Sequence, residues 1–266
     1  MELTHPQGSY QDVPAENVFI AQDEMGTQMG VGFVVWQYLP HFCPEVPINM
    51  YFEINSQPSG WYMIFGALVA RARQLRESNP GVNARLYTRL SPEDGASLAL
   101  YEHNALNCRQ FASQVRIWKP EGPGRVPMAC TVVSTPVNTP AEQQQLIARL
   151  QQNDITTIDV PYLQRMMTTP HFCLLTMLHG NVRVGEALFW GEGSSCELAA
   201  VYTSPMYRRQ GMAKMLIHRG MAMLMEEGVE EFTACFSSLS AAQIHLAQAF
   251  RAADIRLQCL YPELLL

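Results

Sequence analysis

Long apolar runs are missing from this 266-residue chain, and none approaches the roughly 20 residues that a membrane-spanning helix requires. The amino terminus, residues 1–6, also lacks the basic segment followed by an apolar segment that marks a signal peptide. These two absences predict that the protein has no membrane partner and is cytoplasmic.

An excess of positive charge is missing as well, because 18 Lys and Arg residues stand against 24 Asp and Glu residues, for a formal net charge of −6. A surface that binds nucleic acid is usually basic, so no nucleic-acid partner is expected. A small anionic ligand remains compatible with this charge, since a local group of cations can bind it. The sequence contains such a group: Arg208, Arg209, Lys214, His218 and Arg219.

The seven cysteines are scattered and include no Cys-x-x-Cys pair. An odd number of unpaired, dispersed cysteines is typical of reduced thiols rather than of a disulfide framework. Most of them fall within apolar, strand-like runs, where cysteine serves as a small core residue. The sequence therefore predicts no metal site.

What the chain does contain is a strand–turn–helix pattern between residues 196 and 225. Apolar residues 198–201 predict a buried strand, which ends at Ser204-Pro205. A basic turn with Gly211 at its centre follows, and apolar residues then recur at the spacing of one helical face: Leu216, Gly220, Met223 and Leu224. Such a turn directs free backbone N–H groups and the positive end of a helix dipole at one place, which predicts a phosphate site.

The order of residues in this pattern resembles the acetyl-CoA motif of the GCN5-related N-acetyltransferases (the GNAT superfamily). The matching residues are Val201-x-Thr203-x-Pro205-x-Tyr207-Arg208-x-x-Gly211-x-Ala213. The resemblance implies that main-chain groups around Val201 and Thr203 pair with the pantetheine arm of acetyl-CoA. It also implies that one turn holds the pyrophosphate, with these residues: Arg208, Arg209, Gln210, Gly211, Met212, Ala213 and Lys214.

The clearest break in the chain is a run of prolines and glycines at residues 120–124. It predicts a linker at 121–127 between domains at 1–120 and 128–266. Both halves show the same predicted order of hairpin, strand, glycine turn, helix, strand, helix and strand, and the second half begins with one more strand and two helices. The GNAT resemblance therefore implies an α/β fold of two tandem GNAT-like domains, each a mixed, mostly antiparallel sheet flanked by helices, with the first copy truncated.

The first copy departs from the cofactor motif at residues 57–62. Tyr62 stands where the family needs a small residue, and Pro58 removes one N–H donor from the turn. Acetyl-CoA is therefore not expected to bind well in the first half. Tyr101 matches the family tyrosine that protonates the departing thiolate, but simple packing on the sheet is the preferred interpretation because the cofactor turn is damaged.

The second half lacks that tyrosine, because Phe250 occupies its position. For the general base we expect Glu197, on the strand before the cofactor turn, where the family often has an acid that deprotonates the amine. Glu186, on the preceding strand, is the second choice, and the alternative for each is a solvent-facing carboxylate. Other groups that could donate a proton are more simply explained as structural: Tyr202, Tyr207 and His218.

The predicted function is an N-acetyltransferase that moves an acetyl group from acetyl-CoA to a primary amine by direct attack. The partner would be a small-molecule or peptide amine, and the sequence leaves the acceptor and the oligomeric state open. One alternative is a non-catalytic acyl-CoA sensor or interaction module, which Phe250 and the degraded first half favour. Another is an ordinary α/β binding domain with a chance motif.

Overall fold

The computed structural model describes residues 1–118 and 129–266, which form two compact units. Unit 1 comprises Met1–Phe111 and Cys259–Leu266, and unit 2 comprises Ala112–Gln258. Each unit has its own mixed sheet, its own helices and its own apolar core. The predicted α/β fold of two tandem units with mixed, mostly antiparallel sheets is confirmed.

Apart from the short strands β1 (Glu2–Thr4) and β13 (Glu263–Leu265), which were not predicted, the helices and strands follow the predicted order along the chain. They are β1 (Glu2–Thr4), β2 (Val18–Gln22), β3 (Gln28–Tyr38), β4 (Ile48–Ser56), α1 (Pro58–Glu77), β5 (Ala84–Tyr87), α2 (Gly95–His103), β6 (Phe111–Ile117), β7 (Cys130–Ser134), α3 (Pro140–Gln152), α4 (Val160–Met167), β8 (Cys173–His179), β9 (Val182–Glu192), β10 (Ser195–Thr203), α5 (Met212–Glu226), β11 (Glu231–Ser237), α6 (Ala241–Ala249), β12 (Ala253–Leu260) and β13 (Glu263–Leu265). None of the helices that the structure describes has the length and hydropathy of a membrane span.

The sheet of unit 1 has the strand order β1-β2-β3-β4-β5-β13. All its neighbours are antiparallel except β4 and β5, which α1 connects. One face of α1 is apolar and fully buried at Ile64, Leu68 and Ala72, and it packs on the sheet. The helix begins directly after β4, with Pro58 at its first position, where the missing N–H costs no hydrogen bond.

The sheet of unit 2 has the strand order β12-β6-β11-β10-β9-β8-β7. Successive side chains of a strand point to opposite faces. Phe189 of β9 accordingly packs with α5 in one core, whereas Leu188 packs with α3 and α4 in a second core on the other face. Thr139 caps α3 through a capping box with Glu142.

The compact units differ from the predicted domains at 1–120 and 128–266. Strand β6, which the sequence assigns to the first domain, pairs with β11 in the sheet of unit 2, and β13 pairs with β5 in unit 1. The predicted linker at 121–127 lies outside the described residues, and the strands on either side of it, β6 and β7, belong to the same sheet. An apolar strand pattern does not specify the sheet that the strand joins, because pairing is a non-local property.

Candidate functional site

The central parallel pair of unit 2 separates partway along its length. Pairing between β10 and β11 ends at Leu198↔Ala234. Beyond that point β10 continues to Thr203 beside β9 alone, and β11 continues beside β6. The register of β10 on β9 shifts between Leu198 and Ala200, at the same place, as a β-bulge would cause. A gap therefore opens between the two parallel strands along the second half of β10.

The predicted strand residues direct their backbone groups into this gap. The N–H of Ser204 donates to the carbonyl oxygen of Val184 at 2.8 Å and so faces β9. Because the N–H groups of successive strand residues alternate in direction, those of Val201 and Thr203 face away from β9, toward the gap. The Nε of Arg208 donates to the carbonyl oxygen of Thr203 at 3.2 Å, which connects the strand to the turn that follows.

The turn between β10 and α5 contains two residues in the left-handed conformation, Arg209 (φ 61°) and Gly211 (φ 78°). A positive φ is uncommon for a residue with a side chain, and such backbone is concentrated at functional sites. Alternation of left- and right-handed residues curves successive N–H groups into a concave anion site. Gly211 is also the N-cap of α5 and has no side chain to accept from the free amides of the first turn. The turn can therefore bind a phosphate through its backbone.

The residues predicted to bind the cofactor differ in burial and in their hydrogen bonds. Arg208 and Arg209 are exposed, whereas the side chain of Met212 lies in the core, so only its backbone can reach a ligand. Gln210 donates from Nε2 to the carbonyl oxygen of Met206 at 3.2 Å and so stabilises the turn. Ala213 and Lys214 are half-buried in the first turn of α5. The residues of the predicted turn thus lie between the end of β10 and the first turn of α5.

Glu197 lies on β10 just before the strands separate, directly opposite Trp190 of β9. It is half-buried, and its carboxylate has no hydrogen bond or ion pair with any residue in 1–118 or 129–266. Burial raises the pKa of Glu197 above its ordinary value, because desolvation disfavours the charged form. This carboxylate is free to accept a proton.

Glu186 differs from Glu197, because its carboxylate is buried and both of its oxygens have hydrogen-bond and ion-pair partners. Arg149 binds both oxygens at 3.0 and 3.1 Å, and Arg183 lies 3.1 Å from Oε1. The hydroxyls of Tyr202 and Thr176 donate to it at 2.6 and 3.2 Å. The pKa of Tyr202 is raised, mainly by burial and to a smaller extent by the negative charge of Glu186. Glu186 is therefore a structural acceptor and neither a free base nor a solvent-facing carboxylate.

Phe250 is completely buried in the α5 core of unit 2. It is the C-cap of α6, where its N–H donates to Leu246 and its carbonyl oxygen accepts from Trp118. The proton-donating tyrosine of the family motif is thus replaced by a side chain that is closed to solvent. Tyr207, another predicted donor, places its hydroxyl 3.2 Å from Nδ1 of His179.

In unit 1, the described residues 56–62 at the matching position form no such left-handed turn. Gln57 alone separates β4 from α1, and Gly60 lies inside the helix, where its N–H donates to the carbonyl oxygen of Gln57. Within residues 56–62, which the structure describes, no residue has a positive φ. The side chain of Tyr62 projects to solvent and is 56% exposed. The first half therefore lacks the left-handed turn that exposes backbone amides in unit 2.

Aromatic side chains occupy the corresponding end of the parallel pair in unit 1. Pairing of β4 with β5 ends at Tyr51↔Tyr87. The ring of the next residue, Phe52, lies 6.0 Å from that of Tyr101, which is 5.8 Å from the ring of Trp61. Tyr101 is only 9% exposed, and burial raises its pKa. These contacts favour the interpretation of Tyr101 as a packing residue.

Sequence reasoning missed the aromatic residues beside Glu197. The ring of Tyr162 on α4 lies 5.9 Å from that of Trp190, at an interplanar angle of 79°. Trp190 lies on β9, and the pairing of β9 with β10 brings it opposite Glu197, which no local pattern in the sequence indicates. Within the described parts of the chain, no group of three or more His, Cys, Asp or Glu residues could hold a metal ion.

The chain resembles several proteins of known structure, all at low sequence identity. Among curated proteins no match to the chain was found. The chain is similar to the structure of a GCN5-related N-acetyltransferase from Sphaerobacter thermophilus, at 12% identity over 96% of this chain and 82% of that chain, with a TM-score of 0.49. It is similar to a tandem GNAT protein from the clavulanic acid biosynthesis pathway, at 11% identity over 93% and 82% of the two chains, with a TM-score of 0.46.

An aminoglycoside acetyltransferase from an uncultured soil metagenomic sample is similar over 46% of this chain and 88% of its own, at 16% identity and a TM-score of 0.38. The sequence model of the acetyltransferase (GNAT) family matches residues 142–250. That range contains the gap, the turn and Glu197, and it ends at Phe250. Residues 142–250 of this chain are therefore a domain of the acetyltransferase (GNAT) family.

Proposed function

We propose that unit 2 is an N-acetyltransferase that transfers an acetyl group from acetyl-CoA to a primary amine. The observation that carries the proposal is the gap between β10 and β11, which leads directly to the left-handed turn before α5. Backbone groups of Val201 and Thr203 would pair with the pantetheine arm. The concave amides around Gly211 and the cations of Arg208 and Arg209 would hold the pyrophosphate.

The residues along β10 supply the rest of the proposed mechanism. Bound acetyl-CoA provides the acetyl group as an activated thioester. Glu197 accepts the proton of the amine, directly or through water, so that the neutral amine can attack the thioester carbonyl. The backbone N–H groups that face the gap stabilise the negative charge that develops on the carbonyl oxygen. Phe250 has no hydroxyl, so the departing thiolate takes its proton from water.

The first prediction tests cofactor binding at the turn. The double charge reversal Arg208→Glu/Arg209→Glu should weaken acetyl-CoA binding about 30-fold, because two charge-assisted contacts with the pyrophosphate become repulsive. Calorimetric titration of acetyl-CoA into the wild type and the variant measures this change. The double variant Arg73→Glu/Arg76→Glu, at two exposed positions of α1, alters the net charge equally and should bind like the wild type. Equal affinity in all three proteins would contradict the proposal.

A second function, an acyl-CoA sensor without catalysis, is favoured by the burial of Phe250. The unpaired carboxylate of Glu197 favours the enzyme instead, because a sensor has no need of a half-buried base. Release of free CoA in the presence of a panel of primary amines, measured with a thiol reagent, separates the two functions. The sensor would bind acetyl-CoA and release no CoA.

A further prediction concerns Phe250→Tyr, which restores the family residue. Because the site is completely buried, the new hydroxyl should lower the free energy of unfolding by about 1–3 kcal/mol and leave the rate unchanged. Denaturant unfolding and the rate of CoA release test both expectations. Phe111→Tyr, at a ring that is 39% exposed, is the control and should be almost neutral. A faster Phe250→Tyr enzyme would show that this position does reach the thiolate.

A further inference from the structure

A row of polar side chains crosses the sheet of unit 2 and ends on β10, beside the gap. Thr176 of β8, Glu186 of β9 and Tyr202 of β10 are direct cross-strand partners, so their side chains project from the same face. The hydroxyls of Thr176 and Tyr202 donate to the carboxylate of Glu186 at 3.2 and 2.6 Å. The hydroxyl of Thr135, just after β7, donates to that of Thr176 at 2.7 Å. These four residues, called here the polar row, connect the edge of the sheet to the strand that borders the gap.

Helix α3 holds the middle of the polar row in place. Arg149 donates from Nε and Nη2 to the two oxygens of Glu186, at 3.0 and 3.1 Å. Glu186 and Thr176 are each 1% exposed, and charge-assisted bonds of this bidentate kind are strong where water is excluded. The carboxylate cannot shift without breaking several of these bonds together. It is therefore a fixed point to which Tyr202 is attached.

The segment of β10 that carries Tyr202 has few other contacts of this kind. Beyond Leu198 the strand leaves β11, and of the strands that the structure describes only β9 still pairs with it. A strand that is paired on one side opens locally more readily than one that is paired on both, because fewer contacts hold it. The bond from Tyr202 to Glu186 adds a side-chain contact between Val201 and Thr203, the residues whose N–H groups face the gap.

Stability alone does not explain why this row is polar. Burying the carboxylate of Glu186 with its arginine has a desolvation cost, and apolar side chains of similar volume are often equally stable at such a site. A fully hydrogen-bonded network adds a single, rigid arrangement of the elements that it connects. Here those elements are α3, β8, β9 and the half of β10 that lies beyond Leu198.

We propose that Tyr202 is a positioning residue for the cofactor. Through Glu186 it holds residues 201–203 at the distance from β11 that the pantetheine arm of acetyl-CoA requires, before the cofactor arrives. A strand that is ordered in advance loses less conformational entropy on binding, so the affinity is higher. Tyr202 acts through the backbone on either side of it, because its hydroxyl is bound to Glu186. The inference rests on the proposed function for the identity of the ligand, whereas the attachment of β10 can be tested in the free protein.

Tyr202→Phe removes the hydroxyl and keeps the ring. The dissociation constant and the KM for acetyl-CoA should rise about tenfold, the effect of losing one hydrogen bond to a charged group. With an amine that supports CoA release, kcat should stay within about twofold of the wild type, and its pH dependence should be unchanged because Glu197 is intact. Calorimetric titration and the rate of CoA release measure these quantities.

Tyr51→Phe is the matched control. The hydroxyl of Tyr51 donates to Glu53 at 3.2 Å in unit 1, so the change removes the same type of bond from a half-buried tyrosine. The affinity, KM and kcat of this variant should equal those of the wild type. If Tyr202 contributed to stability alone, Tyr202→Phe would lower the urea midpoint of unfolding and leave KM unchanged, and this result would overturn the inference.

Amide hydrogen exchange, measured by NMR without acetyl-CoA, tests the attachment of β10 itself. The N–H of Ser204 donates to the carbonyl oxygen of Val184 on β9 at 2.8 Å and should exchange about tenfold faster in Tyr202→Phe. The N–H of His171 donates to Gly191, at the other end of β9, and should exchange at the wild-type rate. Equal exchange of Ser204 in both proteins would show that Tyr202 does not hold the strand.

The two measurements also separate the inference from the proposed function. Wild-type affinity for acetyl-CoA in Tyr202→Phe would remove the inference and keep the proposed function. Faster exchange of Ser204, together with no binding of acetyl-CoA to the wild type, would remove the proposed function and keep the attachment of β10. Should Tyr202→Phe fail to fold, Thr176→Val loosens the same carboxylate from β8 and should raise the dissociation constant about threefold.

Discussion

Replacing Glu197 with glutamine should reduce kcat for acetyl transfer about 10²- to 10⁴-fold, the contribution that a positioned general base typically makes. The change is isosteric and removes the negative charge together with the ability to accept a proton. Glu197 makes no hydrogen bond or ion pair with any described residue, so the substitution leaves no donor unsatisfied. The affinity for acetyl-CoA should stay within about twofold of the wild type, because the turn at Gly211 is untouched. Release of CoA and calorimetric titration measure the two quantities.

The pH dependence of the wild type should identify the same group. Burial raises the pKa of Glu197, so its carboxylate becomes protonated at a higher pH than an exposed glutamate does. Only the deprotonated form is a base, and kcat should therefore fall as the pH decreases through this raised pKa. The Glu197→Gln variant should lack that acidic limb.

The exposed Glu192, at the end of β9, provides the control for these measurements. Glu192→Gln should retain both the rate and the acidic limb, since its carboxylate is in water. Glu186→Gln is not a suitable control, because it disrupts the contacts of Arg149 and Tyr202 and would destabilise unit 2. An acidic limb that persists in Glu197→Gln would assign the base to another residue.

Local signals in the sequence predicted most of the elements. Helix α4 begins at Val160 because Asp159 caps it and a proline occupies its first turn, and it ends at Met167. Helix α3 starts at the capping box of Thr139 and Glu142. These features depend on residues that are close in the chain. Strands β1 and β13, each of three residues, were not predicted, because so short a run has no readable alternation.

In the candidate site, too, the features set by neighbouring residues in the chain were predictable and those set by distant residues were not. The order of residues from Val201 to Ala213 predicted the strand, turn and helix found there, since the glycine and the strand are adjacent in sequence. The role of these residues in binding acetyl-CoA stays a prediction. The environment of each carboxylate was not predictable, because it depends on distant residues. Glu186 is a structural acceptor because Arg149 reaches it from α3, and Glu197 lies beside Tyr162 because α4 covers that face.

The pairing of β13 with β5 leads to the second large prediction, a loss of stability on replacing Glu263 with alanine. Glu263 lies on β13 and forms an ion pair with Arg85 of β5 at 3.0 Å, and the two side chains are 7% and 2% exposed. Arg85 also donates to the side chain of Asn49. Removing one partner of a buried pair leaves the other charge uncompensated, which typically costs about 3–5 kcal/mol. Urea unfolding, followed through the fluorescence of the buried Trp61 in the same unit, should show this loss.

Two further variants distinguish the destabilising effect of an uncompensated buried charge from the effect of losing the backbone pairing of β13. Glu231→Ala removes the partner of Arg256, which is 49% exposed, and should cost less than about 1 kcal/mol. The double variant Arg85→Leu/Glu263→Leu removes both buried charges and should recover much of the stability that Glu263→Ala loses. If the double variant is as unstable as Glu263→Ala, the ion pair is not the cause, and backbone pairing of β13 with β5 accounts for the stability instead. Recovery would show that the cost in Glu263→Ala arises from the uncompensated charge of Arg85.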